Sequence, residues 1–345
     1  MQPKKSFLIA LIISVIGLSC WELYWRSQGK YPTLNDDKAL WAMHRADVET
    51  ANSDQVVIFG SSRAYFDIQL SEWEKITGQK PIQLSSTGSP PLPSFRDLVN
   101  NTDFSGTVIV GVTPGLFFST TNPTNQFWRR IQSKIDYYED RTYADRLSYR
   151  LSIPLQQNLV FMSADEEIWT DDIDLKSLLR RIQLSKRTEK PQRPPFYFFG
   201  EVNTNRNMSM TARTAQDTAF ANSIINVWNY YVGNSEPLEK ENTMAYFLED
   251  VKKFKERNGN LILLRCPSSG GQRFGEGMGL PRADYWDELV SKANVPAYHF
   301  EDYDQLKDLK CPEESHLSKE DAEYFTREIA KIMLEDGTIT KSKTN

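Results

Sequence analysis

The chain has 345 residues, 39% of them hydrophobic and 12% aromatic, which is enough for a substantial core and excludes a chain disordered throughout. Its 41 basic and 46 acidic residues give a net charge of −5. Because the basic residues form no stripe along the sequence, nucleic acid is excluded as the main partner.

Two lysines near the start of the sequence, Lys4 and Lys5, precede an apolar run from Phe7 to Trp25. This run is long enough to cross a bilayer as a helix, and the lysines favour a cytoplasmic start. We therefore predict a single-pass anchor over 1–26 in the inner membrane, with the rest of the chain periplasmic or outside. A cleaved signal peptide competes with it, although no A-x-A-like site follows. A lipoprotein modified at Cys20 fits less well, because the preceding residues do not match the lipidation pattern.

Residues 27–53 are predicted to form a polar tether and an amphipathic helix over 38–51. His44 lies inside this helix, far from any predicted sheet edge. That position indicates a surface or packing histidine. It does not favour a catalytic role.

A continuous apolar run, Val56–Phe59, is followed by Gly60, Ser61, Ser62 and Arg63. Such a run is typical of a strand buried on both faces of a parallel sheet. The hydroxyls after it are expected at the carboxyl edge of the sheet, where open α/β sheets bind ligands. Three interpretations fit: a turn with a capping serine, an anion cradle charged by Arg63, or a nucleophile.

Two more strands are predicted, over 81–86 and 107–115, and they complete a first half over 54–118. The strand–helix rhythm then stops over 119–235, which is too long for a simple loop. We expect a largely helical insertion there, serving as a cap, a polysaccharide groove or a docking surface for a membrane partner. Its predicted helices cover 124–150, 172–186 and 214–232. An aromatic run, 196–199, fits core packing or stacking on sugar rings.

The alternation resumes over 236–335, before a polar tail over 336–345. A glycine-rich stretch after the strand 260–267 lacks the Gly-Lys-Ser/Thr of a phosphate loop, so we predict a mobile loop that rims a pocket. Arg265, Arg273 and Arg282 are available there for an anionic substrate group. The last strand, 295–302, contains His299, predicted to be packed. The whole pattern predicts an α/β protein in which helices cover both faces of a parallel sheet, a three-layer α/β/α sandwich.

Two cysteines, Cys266 and Cys311, each precede a proline near the predicted carboxyl edge. In an oxidising compartment they can form a disulfide that braces the loop after Cys311. Two independent buried thiols are equally compatible with the sequence. No spacing of His and Cys predicts a metal site, and we expect no cofactor.

Near its end the chain reads Glu313-Glu314-Ser315-His316, just before a helix. A nucleophilic serine needs a base, and the base needs an acidic partner. Among the three histidines only His316 lies in a loop beside carboxylates. Gly-Ser-Ser-Arg after the first strand, paired with Glu-x-x-His before the last helix, resembles the SGNH/GDSL hydrolase superfamily. The resemblance covers roughly 54–118 and 258–334.

The resemblance implies roles for three residues: Ser62 as nucleophile, His316 as base, and Glu313 in place of the orienting aspartate. Glu314 is the fallback for Glu313. The resemblance also implies an oxyanion site. Its donors are the amide of Ser62, the amide of Gly88, and the hydroxyl of Thr113 where the family usually has asparagine. The alternative interpretation of Gly88 is that it merely permits a turn in the backbone.

Gly-Ser-Ser-Arg variants resemble the membrane-anchored and polysaccharide-modifying branches of that superfamily. The expected function is therefore a serine-dependent esterase or O-acyltransferase that acts on a cell-surface polysaccharide or a related ester. A membrane-bound acyltransferase is a possible partner, and Arg63, Arg265 and Arg273 are candidate substrate-binding residues. One alternative is a degenerate member that binds glycan or a membrane partner without turnover. Another is a lipid-facing esterase.

Overall fold

The computed structural model describes residues 3–162, 194–234 and 236–342. Within these residues the main sheet has five parallel strands, which confirms the predicted α/β class with a parallel sheet. A separate antiparallel hairpin lies between the third and fourth of them along the chain. The strands are β1 (Val56–Phe59), β2 (Ile82–Gln83), β3 (Thr107–Gly111), β4 (Gly200–Val202), β5 (Met208–Met210), β6 (Asn260–Arg265) and β7 (Ala297–His299). The order in the main sheet is β2-β1-β3-β6-β7.

The helices surround this sheet and supply the insertion between β3 and β6. They are α1 (Pro3–Ser27), α2 (Lys38–Asp47), α3 (Ser62–Asp67), α4 (Leu70–Thr77), α5 (Leu92–Asn101), α6 (Pro114–Phe117), α7 (Gln126–Asp140), α8 (Tyr143–Asn158), α9 (Ala212–Gln216), α10 (Thr218–Gly233), α11 (Lys240–Glu256), α12 (Gly270–Gly279), α13 (Glu288–Ala293) and α14 (Lys319–Glu335). Shorter turns follow α2, α8 and β7, and a π-turn, Ala283–Asp287, precedes α13.

Both faces of the sheet are buried, as the unalternating apolar runs predict. In β1, Val57 and Phe59 enter one hydrophobic cluster, which includes Phe95 of α5. Ile58 enters the opposite cluster, which includes Phe325 of α14. The same alternation continues in β3 and β6, because their residues lie in register with those of β1. Packing on both faces therefore fixes the position of the sheet in the core, and with it the position of the edge where the parallel strands end.

Helix α1 is the one described helix that is long and apolar enough to cross a membrane, with a mean hydropathy of 2.1 and no buried residues. Its last turns contact the insertion. Glu22 accepts hydrogen bonds from the amides of Val160 (3.0 Å) and Phe161 (3.2 Å). Arg26 donates to the carbonyl of Asn158 (2.9 Å). The end of α1 is therefore tied to the end of α8.

The predicted tether packs against the body of the protein at Asp36. Its carboxylate binds Arg206 (2.6 Å) and Lys134 (3.1 Å), and Tyr65 donates to it (3.1 Å). Burial by itself raises the pKa of Asp36, but the charges of Arg206 and Lys134 outweigh it and hold that pKa below its usual value. Arg206 also donates to the carbonyl of Gln83 (2.7 Å), which fastens the β4–β5 hairpin to the end of β2.

The described part of the insertion is mostly helical, and the predicted helix 172–186 lies outside the described residues. The β4–β5 hairpin is not predicted, because its three-residue strands are too short to show alternation. The predicted mobile loop after β6 is also wrong: Gly270–Gly279 forms α12. Glu314 explains that helix, because its carboxylate accepts from the amide of Gln272 (3.2 Å) at the first turn. Gly270, at the first turn, has φ +54°, a left-handed backbone conformation that favours glycine.

Candidate active site

The candidate site lies where the strand order of the sheet reverses. The chain runs from β1 to β2 on one side, then returns to β3 on the other side of β1. Open α/β sheets bind ligands at the carboxyl ends of strands at such a reversal. Ser61 follows β1 and Thr113 follows β3, and their hydroxyl oxygens lie 2.6 Å apart. A hydroxyl-lined site therefore lies at the expected edge.

Ser62 is the first residue of α3, and it remains partly exposed. Helix α3 packs directly on the ends of β1 and β3, because Gly60 and Gly111 leave room for Ala64. A Cβ on Gly60 would lie 2.5 Å from the Cβ of Ala64, and one on Gly111 would lie 2.4 Å from it. The two glycines therefore set the position of the helix that begins with Ser62.

His316 and Glu313 form a buried pair. The imidazole Nδ1 lies 2.8 Å from Glu313 Oε1, which also accepts the backbone amide of His316 at 2.6 Å. Both side chains are almost fully buried, at 1% and 0% exposure. Because a carboxylate only accepts hydrogen bonds, Nδ1 carries the proton and Nε2 is left with its lone pair. This is the tautomer that a general base requires.

Trp228 of α10 completes the pair, since its Nε1–H donates to Glu313 Oε2 and, at 3.2 Å, to the Glu313 carbonyl. Three aromatic rings surround the imidazole: those of Phe66 (4.7 Å between centroids), Phe199 (5.5 Å) and Trp228 (5.8 Å). Nε2 is buried and has no hydrogen-bond partner among the described residues. A buried polar atom left in this way calls for a functional explanation.

The structure brings the loop of His316 onto α3, but it does not join Ser62 to His316 by a hydrogen bond. Neighbouring residues of the loop and of α3 are joined by hydrogen bonds. Arg63 Nε donates to Ser315 Oγ (3.2 Å), and the amide of Leu317 donates to Asp67 Oδ1 (3.0 Å). The base is thus held against the helix that Ser62 begins.

Asp67 is a buried residue of this site that the sequence analysis missed. Its Oδ2 has no partner among the described residues, and burial raises its pKa well above the usual value. The nearby charge of Glu313 raises that pKa further. The available signal was an aspartate among aromatic and apolar residues, five positions after Ser62. In the fold it positions the residue that follows His316.

Two of the predicted oxyanion donors, Gly88 and Thr113, have neighbours that hydrogen-bond to them. Gly88 has φ +58°, and its carbonyl accepts from Arg130 Nη1 (3.3 Å). A φ of this sign is a left-handed backbone conformation that favours glycine. The hydroxyl of Thr113 is hydrogen-bonded to Ser61. The oxyanion role of Gly88, Thr113 and the Ser62 amide stays a prediction.

The arginines predicted to bind substrate are paired within the protein. Arg63 and Arg265 both bind the carboxylate of Glu276 on α12, Arg63 at 2.6 Å. Burial opposes ionisation of Glu276, but the two guanidinium groups outweigh it and lower its pKa to about 2. Arg273 binds Glu301 (2.8 Å). Arg265 and Arg273 each have a carboxylate partner in this arrangement, while Arg63 retains a buried Nη1 with no partner among the described residues. A substrate-binding role for the three arginines stays a prediction.

Cys266 and Cys311 are free and buried, so the disulfide interpretation is not supported by the structure. Both thiols pack in the hydrophobic cluster between the sheet and α14, where they act as small apolar side chains. Burial raises the pKa of both thiols well above the usual value. The arrangement agrees with the alternative of two independent buried thiols.

The remaining candidates make no hydrogen bond to the His316–Glu313 pair within the described residues. His299 packs between Trp286 and Phe300, and burial lowers its pKa to about 3, so it is neutral at neutral pH. His44 contacts the carbonyl of Thr204 through Nε2 (2.7 Å). Glu314 caps α12 and does not contact the imidazole. No group of His, Cys, Asp and Glu suited to a metal occurs in the described parts of the chain.

No protein-family model matches this chain, and a search of curated proteins finds no match. The function is therefore inferred from the site itself. Its most distinctive feature is a buried imidazole that is oriented by a carboxylate, surrounded by aromatic rings, and without a hydrogen-bond partner at Nε2 among the described residues.

Replacing Trp228 with phenylalanine should distinguish the contribution of ring packing from that of the hydrogen bond to Glu313. The ring of phenylalanine still packs on His316, but Glu313 Oε2 loses its donor while remaining buried. We expect a loss of about 1–3 kcal/mol in the free energy of unfolding, measured by urea denaturation. Trp286→Phe is the control, because Trp286 packs on His299 instead. Equal losses in both variants would show that the hydrogen bond to Glu313 contributes nothing.

Proposed function

We propose that this chain is a serine-dependent acyl-ester hydrolase or O-acyltransferase. The observation that carries the proposal is the buried His316–Glu313 pair, whose unengaged Nε2 lies in a loop bonded to the helix that Ser62 begins. In this proposal Nε2 of His316 is the base, Glu313 is its orienting carboxylate and Ser62 is the nucleophile, which are the three parts of a serine nucleophile system.

In the proposed reaction Ser62 Oγ attacks the acyl carbonyl while Nε2 of His316 takes the hydroxyl proton. Glu313 stabilises the imidazolium that forms, and the amides of Ser62 and Gly88 receive the oxyanion with the hydroxyl of Thr113. The imidazolium then returns its proton to the leaving alcohol. Water releases the acyl group in a hydrolase, whereas a sugar hydroxyl accepts it in a transferase.

The hydrogen bond between Ser62 and His316 is expected to form during acylation. Catalytic hydrogen bonds are often long or misaligned in the free enzyme and tighten only in the complex with substrate. Ser62 is partly exposed at the start of α3, so solvent reaches this residue.

The finer fold assignment, a three-layer sandwich of the SGNH type, belongs to this proposal. It is supported by burial of both faces of the sheet and by the strand order, which is 2-1-3-4-5 when only the main sheet is counted. The apolar helix α1 supports anchoring in the inner membrane with the site outside the cytoplasm. A surface polysaccharide as substrate, and a membrane-bound acyltransferase as partner, follow from the resemblance alone.

A second function, binding of glycan or a membrane partner without turnover, is favoured by two specific observations. Ser62 and His316 share no hydrogen bond, and the hydroxyl at the position of the family's asparagine, Thr113, is already bonded to Ser61. In this alternative the buried pair has only a structural role.

A fluorophosphonate probe tests the two functions against each other. The full chain in detergent should be labelled on one residue, identified as Ser62 by mass spectrometry, and Ser62→Ala should abolish labelling. Ser61→Ala is the matched control, because it removes the neighbouring hydroxyl and should retain labelling. If the folded wild type is not labelled, or is labelled equally in Ser62→Ala, the binding function replaces the enzymatic one.

A further inference from the structure

Helix α8 has a stripe of large apolar side chains that face solvent. Tyr143, Leu147, Leu151 and Leu155 recur every four residues and are 72%, 43%, 64% and 46% exposed. Residues spaced in this way share one side of a helix. The stripe extends over about 18 Å at the rise of an α-helix. A different side of α8, that of Tyr149 and Gln156, packs on the protein.

Two exposed arginines, Arg146 and Arg150, lie one helical turn apart along one border of this stripe. Neither has an ion-pair partner within the described ranges. Apolar residues bordered by cations on one helix are typical of helices that lie in the interface of an anionic bilayer. A groove for an apolar protein segment would not need the arginines.

The end of α8 adjoins the segment that enters the membrane. Arg26 of α1 donates to Asn158, the last residue of α8, and Glu22 binds the two amides just beyond it. Three aromatic residues, Trp21, Tyr24 and Trp25, mark this end of α1 as suited to the membrane interface. If α1 spans the bilayer, one end of the stripe lies at the level of the headgroups.

We propose that α8 lies on the bilayer surface, with the stripe Tyr143, Leu147, Leu151 and Leu155 among the acyl chains and the two arginines at anionic headgroups. The proposal rests on membrane insertion of α1 and is independent of the proposed catalysis. Contact along α8 as well as through α1 restricts the tilt of the domain. The site at the carboxyl edge of the sheet is thereby held at a fixed orientation to the membrane.

Spin labels on the full chain in nanodiscs of phosphatidylcholine and phosphatidylglycerol test this. Cys20, which lies exposed in α1, labels the anchor, while the buried Cys266 and Cys311 stay unlabelled. Leu151→Cys labels the stripe, and Lys252→Cys on α11 is the solvent control; both are made with Cys20→Ser. Accessibility to oxygen, which concentrates in lipid, is compared with accessibility to a water-soluble nickel chelate.

We expect the labels at Cys20 and Leu151→Cys to favour oxygen over nickel, and the label at Lys252→Cys to favour nickel. The double variant Arg146→Gln, Arg150→Gln should reduce the oxygen preference at Leu151→Cys. A Leu151→Cys label that favours nickel, while Cys20 favours oxygen, would overturn the proposal and leave the anchor intact. Low accessibility of the Leu151→Cys label to both agents would mean that the stripe is buried in protein, which would also overturn the proposal. A label at Cys20 that favours nickel would show that α1 is not inserted in the bilayer, and the proposal, which rests on that insertion, would fail.

Discussion

Replacing Glu313 with glutamine should lower kcat/KM for hydrolysis of p-nitrophenyl acetate about 10⁴-fold, the size of effect seen when a carboxylate that orients a catalytic histidine is neutralised. The neutral amide cannot stabilise the imidazolium that forms when His316 takes the proton of Ser62. In the wild type the Nδ1–H and the Trp228 Nε1–H bind the two oxygens of one carboxylate, but glutamine has one acceptor oxygen and an NH₂ group that only donates, so one of these donors loses its acceptor. The rate is measured with the full chain in detergent.

Glu314→Gln is the matched control, because it removes the same charge one residue away. Glu314 caps α12 and does not touch the imidazole, so kcat/KM should change only a few-fold. The double variant Ser62→Ala, Glu313→Gln should be no slower than Ser62→Ala, since residues that act as one unit are not additive. If Glu313→Gln and Glu314→Gln lose equal activity, Glu313 has no special role.

Replacing Glu276 with glutamine should lower the free energy of unfolding by about 3–5 kcal/mol at pH 7. Arg63 and Arg265 share this carboxylate and are both buried. Without it two guanidinium groups are left close together with no anion between them. Unfolding in urea is followed by modification of the buried Cys266 and Cys311 thiols, in a chain carrying Cys20→Ser.

The effect should depend on pH in a defined direction. Glu276 has a pKa of about 2 in the folded chain and an ordinary value of 4.5, so its stabilisation is complete above pH 4.5 and is lost as the pH falls toward 2. Because glutamine resembles the protonated carboxyl, wild type and variant should converge in stability over this range. A difference that stays constant between pH 5 and pH 2.5 would contradict the assignment.

Glu288→Gln provides the control for burial. The pKa of Glu288 is also lowered to about 2, by hydrogen bonds from Lys240 and Lys292, but this carboxylate is on the surface. Ion pairs in solvent contribute little to stability, so urea unfolding should change slightly or not at all. A large loss in Glu288→Gln would mean that the pKa shift alone, without burial, predicts stability.

Local sequence patterns predicted the parts of this protein that depend on neighbouring residues. The apolar runs of β1, β3 and β6 predicted strands buried on both faces, and the run from Phe7 to Trp25 predicted α1. The resemblance of Glu313-x-x-His316 to the family motif implied that this carboxylate orients the imidazole, and the structure shows the two groups 2.8 Å apart. These features require no knowledge of distant segments.

Local patterns also failed where the decisive partner is far along the chain. Gly270–Gly279 has a composition typical of a loop, yet it is a helix because Glu314 caps it and Glu276 ties it to two arginines. Trp228 lies four residues after Ile224 in a predicted amphipathic helix, but nothing in that helix indicates that its partner is Glu313.

The amino-acid sequence by itself determined the sheet, the apolar helix at its start, and the chemical types available at the sheet edge. Only the tertiary structure decided which arginines are paired with carboxylates, which tryptophan donates to Glu313, and which nitrogen of His316 has no hydrogen-bond partner among the described residues. The physical reason is that periodicity and turn chemistry act over a few residues. Burial and charge pairing join groups that are 85 residues apart, as for Trp228 and Glu313, or 252 apart, as for Arg63 and Ser315.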